Sequence, residues 1–482
     1  MGFKVLQVAG EVYPFAKTGG LADVVGALPK ALARLGHDVR VVMPKYQQVT
    51  EEKFPSQPVA TDLFYPLGNE FKSVTIRQWT GGTEVPTYFV DAPEFFHRPQ
   101  LYGHSDDAVR FIAFARAVLE MVRALNWTPD VIHCHDWHAG LVPVYVKTLY
   151  AQDLPQTATV FTIHNLAYQG VFSKDVYPLT GLDWSLFNHH QLEFYDQLNF
   201  LKAGLVFADA LNTVSEKYAE EIQTPEYGER LEGVLIARRD RLSGVLNGID
   251  YAEWNPATDP HIAAPYSPDD LSGKAQNKRA LQERCGLNTT DGSPIPLIGV
   301  VSRLSGQKGF DLVAEAIDDI MALDVQLVVL GAGDEYYTNL FRRIGERYPS
   351  AASVNFRFDE PLAHQIYAGC DLFLMPSRYE PCGLGQLISL KYGTIPIVRR
   401  TGGLADTIQE FNPDSGLGNG FSFEEYAASA LLNAVRNAVN TYRMPSAWER
   451  VVRNALSCDF SWDVSARKYV DLYEKARNYA RR

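Results

Sequence analysis

Arg303 closes an apolar run, and Lys308 follows it within Arg303-Leu304-Ser305-Gly306-Gln307-Lys308-Gly309, just before a helical pattern begins. Two cations beside a helix start can neutralise the charge that builds on a diphosphate as it departs. Alone, such a pair reads as ordinary solvated surface, where most Lys and Arg reside. The decapeptide Pro376-Ser377-Arg378-Tyr379-Glu380-Pro381-Cys382-Gly383-Leu384-Gly385 changes that reading, because it joins an apolar strand to a helix through a proline and glycine turn. There the backbone N–H groups of Cys382, Gly383 and Leu384 can approach phosphate, and Glu380 can accept hydrogen bonds from sugar hydroxyls. The plainer reading is a helix cap with a surface carboxylate.

Nearly the same eight residues occur at both ends of the chain, Lys17-Thr18-Gly19-Gly20-Leu21-Ala22-Asp23-Val24 and Arg400-Thr401-Gly402-Gly403-Leu404-Ala405-Asp406-Thr407. A cation, two glycines and a helix start suit an anion cradle, so both copies are expected to hold charge on a substrate. His133-Cys134-His135-Asp136-Trp137-His138 raises the question of a metal, since His133 and His135 can share a strand face. No distant carboxylate or cysteine cluster completes a shell, so Asp136 reads as a sugar contact and the histidines as packed or hydrogen-bonded. Thr162-Ile163-His164-Asn165 puts His164 at the same kind of strand end, and Asn247-Gly248 is equally a common turn. Gly331-Ala332-Gly333 begins like a dinucleotide fingerprint but lacks its third glycine.

These residues need strand ends to stand on. Val- and Ile-rich runs alternate with helical patterns, the signature of βαβ units. Strands are expected at 5–9, 39–43, 131–134, 159–163 and 211–214, with a hairpin or edge pair at 74–79 and 87–90. Helices are expected over 21–35, kinked at Pro29, and over 106–125. Periodicity fades and prolines gather from Trp254-Asn255-Pro256 through Pro268, which places a hinge there. Beyond it, strands are expected at 297–301, 326–330, 354–358, 372–375 and 395–398, with helices at 310–323 and 336–347. The division is 1–250, a hinge at 251–270, 271–460, and a final helix over 461–482 that crosses back to the first domain.

The 482 residues exceed one core, and 46% hydrophobic with 21% charged residues is ordinary globular composition. A formal charge of −12 argues against a nucleic-acid binder and a polybasic membrane anchor. No signal peptide or membrane span is expected, and the five cysteines contain no CxxC pair, so reduced thiols in the cytoplasm are the default.

Taken together and in order, Lys17–Val24, the HCHDWH block, Thr162–Asn165, Asn247–Asp250, Arg303 with Lys308 and Pro376–Leu384 resemble bacterial glycogen synthases and starch synthases, along essentially the whole chain. The resemblance implies an α/β GT-B fold, two doubly wound Rossmann-like domains facing a central cleft. It implies transfer of glucose from ADP-glucose to the nonreducing 4-hydroxyl of an α-1,4-glucan, with retention and no metal or other cofactor. Arg303, Lys308, Glu380, His164 and Asp136 are then the catalytic set. Lys17, Gly19, Gly20, Asp23, Tyr102, Asn247, Phe358, Cys382, Gly383 and Leu384 are then substrate-binding. Arg357-Phe358 departs from the Gly-Tyr that the family pattern sets beside the base, although Phe358 still offers a flat apolar surface. The alternatives are a related glycosyltransferase using UDP-glucose or a small sugar acceptor and, from another class, a glucan-binding protein without turnover.

Overall fold

The computed structural model describes residues 2–82, 84–289, 295–357 and 359–481. Phe358 therefore lies outside the described residues. The chain divides into two units, Met1–Gly248 with Trp462–Arg482, and Ile249–Ser461.

The first unit carries β1 (Lys4–Val8), β2 (Asp38–Pro44), β3 (Ser56–Leu67), β4 (Glu70–Trp79), β5 (Thr87–Asp91), β6 (Val131–His135) and β7 (Ala158–Ile163). A small antiparallel sheet of β8 (Val171–Ser173), β9 (Glu193–Phe194) and β10 (Gln197–Asn199) follows, then β11 (Ala210–Thr213) and β12 (Leu242–Gly244). The main sheet runs β12-β11-β7-β6-β1-β2-β5-β4-β3, parallel from β12 to β5. The last two strands join it antiparallel. The central strands are buried on both faces, which is why they read as continuous apolar runs. Strand β3 was not expected: it is an edge strand in which only Tyr65 and Leu67 are buried, and Pro58 and Pro66, tolerated only at an edge, disguise it.

Helix Gly20–Arg34 continues through Pro29 and turns Leu21, Val24, Val25, Leu28 and Leu32 inward at helical spacing. The C-terminal helix, Trp462–Ala480, packs Trp462, Tyr469, Leu472 and Tyr473 among Val5, Leu28, Val131 and Val160 of this unit.

In the second unit β13 (Leu297–Val301), β14 (Gln326–Leu330), β15 (Ala352–Asn355), β16 (Leu372–Met375), β17 (Ile395–Arg399) and β18 (Phe421–Phe423) form a parallel sheet in the order β15-β14-β13-β16-β17-β18. The strand expected over 354–358 is displaced to Ala352–Asn355, because its single partner β14 ends at Leu330, opposite Asn355.

The stretch expected as a hinge, 251–270, is instead part of the second unit. Asp259 Oδ2 accepts from His364 Nδ1 at 2.7 Å and from the Tyr392 hydroxyl at 2.6 Å. Trp254 stacks on His364 with ring centroids 4.0 Å apart, and Tyr266 donates to the Tyr392 carbonyl. Polar side chains bonded to the unit's interior erase the periodicity that a helix or strand would show.

Candidate active site

In the first unit the chain passes from β1 to β2 on one side and from β6 to β7 on the other, so the order reverses between β1 and β6. Ligands bind doubly wound sheets beyond the carboxyl ends of strands at such a reversal. Glu11 and the Lys17–Gly20 segment follow β1, Asp136 and His138 follow β6, and His164 follows β7.

Asp136 holds φ at +54°, a left-handed conformation costly for a side-chain residue and typical of strained functional turns. Its buried carboxylate accepts the His164 backbone N–H at 2.7 Å. Burial, aided by the charge of Glu11, pushes the Asp136 pKa up to about 8. Burial also pulls His164 and His138 down to about 3, so both imidazoles are neutral near pH 7. Tyr102 packs against His138 with ring centroids 4.2 Å apart. The Tyr102 hydroxyl, both His138 ring nitrogens and Asn247 Oδ1 are buried without hydrogen-bond partners. Buried polar atoms are rarely left so, and a polyhydroxylated ligand would satisfy them.

Glu11, which the sequence reading passed over, is the anchor of the glycine segment. It accepts from the Thr18 backbone N–H and, at 2.9 Å, from the Thr18 hydroxyl. Burial dominates its titration and raises it to about 7. Lys17 Nζ lies 2.6 Å from Asp23 Oδ1, both half-exposed. A Cβ built on Gly19 meets nothing nearer than Glu11 Oε1 at 4.0 Å, so the start of helix Gly20–Arg34 is open.

The second copy of that motif differs, which corrects the expectation of two cradles. Gly402, at φ +45°, and Gly403 are buried, and a Cβ on them would stand 2.0 Å from the Glu380 carbonyl and 2.1 Å from the Cys382 carbonyl. Gly403 N–H donates to the carbonyls of Glu380 and Pro381. These glycines seat the turn that carries Glu380; no space remains for an anion.

The second sheet reverses between β13 and β16. At that reversal Lys308 Nζ lies 2.7 Å from Glu380 Oε2, with the two side chains 17% and 7% exposed, and the Ser377 hydroxyl donates to the same oxygen at 2.9 Å. The structure thus joins Lys308 to Glu380. Arg303 stands apart from that pair, exposed and in no ion pair or side-chain hydrogen bond among the described residues. Gly331 and Gly333 belong to this geometry rather than to a dinucleotide fingerprint, since a Cβ on either would strike the carbonyl of Ser302 or Leu304 on each side of Arg303. Cys382 is buried, Gly383 has φ +75°, and Leu384 precedes helix Gly385–Lys391. Gln386 Nε2 holds the carbonyls of Cys382 and Gly383.

Of the histidines in the HCHDWH block, His133 and His135 are engaged in hydrogen bonds, whereas His138 is held by packing against Tyr102 and Trp137. His133 meets Thr162 Oγ1 at 2.5 Å and the Tyr473 hydroxyl at 2.9 Å, and His135 meets Gln7 Oε1 at 2.6 Å and His164 Nε2 at 3.0 Å.

Residues 4–237 match the family described as starch synthase catalytic domain, and 292–455 match glycosyl transferases group 1. The chain is 48% identical over 479 residues to a glycogen synthase of Moorella thermoacetica, covering 98% of this chain and 96% of that one. With a glycogen synthase of Thermotoga petrophila it shares 50% over 481 residues, covering 98% and 99%. The chain belongs to the glycogen synthase family. It is therefore a glycosyltransferase. The catalytic domain of starch synthase IV from Arabidopsis thaliana, solved with ADP and acarbose bound, superposes with a TM-score of 0.92 at 37% identity, covering 99% of this chain and all of that one. Sucrose-phosphate synthase from Thermosynechococcus elongatus, at 17% identity and TM-score 0.61 with 98% of each chain covered, shares the GT-B fold alone. Among the described residues no helix is long and apolar enough to cross a membrane.

Proposed function

We propose that the protein transfers glucose from ADP-glucose to the nonreducing 4-hydroxyl of an α-1,4-glucan, with retention at C1 and without a metal or other cofactor. The bond from C1 to the diphosphate oxygen breaks with its electron pair going to phosphate. The acceptor oxygen bonds C1 on the same face and passes its proton to the departing phosphate oxygen. Such a step asks for charge stabilisation of the leaving group and of an oxocarbenium-like sugar more than for a strong base.

The Lys308–Glu380 contact at the second sheet's reversal is the observation that carries this reading. In a chain of net charge −12, a lysine fixed by a buried carboxylate and an uncommitted Arg303 make a local anion site. These cations take the diphosphate, and Glu380 with the Cys382–Leu384 turn takes the donor sugar and phosphate. In the first unit the open Lys17–Gly20 segment takes negative charge on a substrate, while Asp136, His164, Tyr102, Asn247 and Asp23 contact sugar hydroxyls. The orphaned atoms of Tyr102 and Asn247 support that assignment. Five free thiols favour the cytoplasm as the compartment.

The test is incorporation of labelled glucose into a glycogen primer from ADP-glucose and from UDP-glucose, with and without chelator. Incorporation from the adenosine donor, unchanged by chelation, is expected. Equal or better use of the uridine donor contradicts the base assignment, and loss on chelation contradicts the metal-free step.

A further inference from the structure

His164 sits at the end of a hydrogen-bond chain whose other end is on the C-terminal helix. The Tyr473 hydroxyl accepts from Gln7 Nε2 at 3.0 Å and reaches His133 Nδ1 at 2.9 Å. Gln7 Oε1 lies 2.6 Å from His135 Nε2, and His135 Nδ1 lies 3.0 Å from His164 Nε2. In the other direction His133 Nε2 meets Thr162 Oγ1, which donates to Asn212 Oδ1 at 2.6 Å, and Asn212 Nδ2 donates to the Tyr469 hydroxyl at 3.3 Å.

Each link fixes the next. A carbonyl oxygen on Gln7 can only accept, so His135 carries its proton on Nε2 and presents a bare Nδ1. That nitrogen can only accept from His164, which therefore carries its proton on Nε2 and leaves its own Nδ1 with a free lone pair. On the other branch Thr162 gives its proton to Asn212, so His133 Nε2–H donates to Thr162 and His133 Nδ1 accepts from Tyr473. The chain has one alternative, with every bond reversed, and this requires both amides to flip. Flipping Asn212 would set its oxygen 3.5 Å from the Thr213 carbonyl oxygen, where its amide nitrogen now stands. Two facing acceptors repel, so the first sense is retained.

We propose that Tyr473 is a positioning residue for His164: acting through Gln7 and His135, it holds the imidazole in the Nε2–H tautomer with Nδ1 bare, ready to accept a hydrogen bond from a substrate hydroxyl. The use made of that nitrogen rests on the sugar-binding role proposed for His164, but the tautomer does not. Without its hydroxyl, residue 473 no longer fixes the Gln7 amide. Gln7 can then turn its NH2 towards His135, which moves the His135 proton to Nδ1 and the His164 proton to its own Nδ1.

The experiment is the nitrogen NMR spectrum of 15N-histidine-labelled full-length protein at pH 7, with His164 assigned by a His164→Gln sample. In the wild type His164 is expected to show a protonated Nε2 and an unprotonated Nδ1. In Tyr473→Phe the two shifts move towards each other, and kcat falls about tenfold, the worth of one neutral hydrogen bond, with the donor KM little changed. Should Tyr473→Phe fail to fold, Gln7→Met cuts the same chain one link nearer and is read identically. An Nδ1-protonated His164 in the wild type, or His164 shifts unmoved by the variant, overturns the proposal. Moved shifts with kcat unchanged uphold the tautomer control and count against the sugar-binding role of His164.

Discussion

Lys308 Nζ and Glu380 Oε2 stand 2.7 Å apart although 72 residues separate them in sequence, and both side chains are largely buried. A buried cation that keeps its partner is fixed in place, so in the proposed reaction its positive charge meets the departing diphosphate with little reorganisation. Glu380→Gln keeps the size of the side chain and removes the charge that pins Lys308. Loss of kcat by about 100-fold is expected, from the scale of one misplaced transition-state donor. Steady-state rates with ADP-glucose and a glycogen primer check it; kcat within threefold of wild type contradicts it.

The two glycine motifs separate by substitution. Gly403→Ala would drive a Cβ to 2.1 Å from the Cys382 carbonyl, so the turn must shift, and destabilisation of about 2 to 4 kcal/mol is expected in urea unfolding. Gly19→Ala has open space at 4.0 Å and should leave stability within about 0.5 kcal/mol, or 1 with the helix cap, while weakening donor binding. Equal destabilisation by the two changes would show that the motifs share one role.

Glu11 makes stability depend on pH. Its native pKa of about 7 lies above the ordinary value of 4.5, so between those values the folded protein holds a proton that the unfolded chain has released. The contribution is therefore full below pH 4.5 and is lost as pH rises through 7, a change of about 3 kcal/mol. Glu11→Gln lacks this term. Urea unfolding across pH 5 to 8 should show the variant gaining on the wild type as pH rises; parallel curves contradict the assignment.

Much of this architecture is legible in the residues themselves. Leu297–Val301 and Gln326–Leu330 are strands where their apolar runs indicate, because burial on both faces leaves no polar interruption. Ser56–Leu67 escapes because a partly exposed edge strand containing Pro58 and Pro66 carries neither alternation nor a continuous run. Arg303, Lys308 and Glu380 stand out through their turns, whereas Glu11 looks like a mere break in an apolar stretch until Thr18 is seen bonded to it. Tyr473 gives no local signal at all, since its partner His133 is 340 positions away. The Arg400–Thr407 copy shows the converse: like residues near a helix start do opposite work when one pair of glycines faces solvent and the other faces backbone.

The measurement that bears most directly on charge stabilisation by the second unit is kcat for Arg303→Met and Lys308→Met with ADP-glucose, taken beside maltooligosaccharide affinity. Each variant is predicted to lose kcat by about 100- to 1,000-fold with glucan affinity unchanged. Turnover within threefold of wild type in both variants would contradict the account.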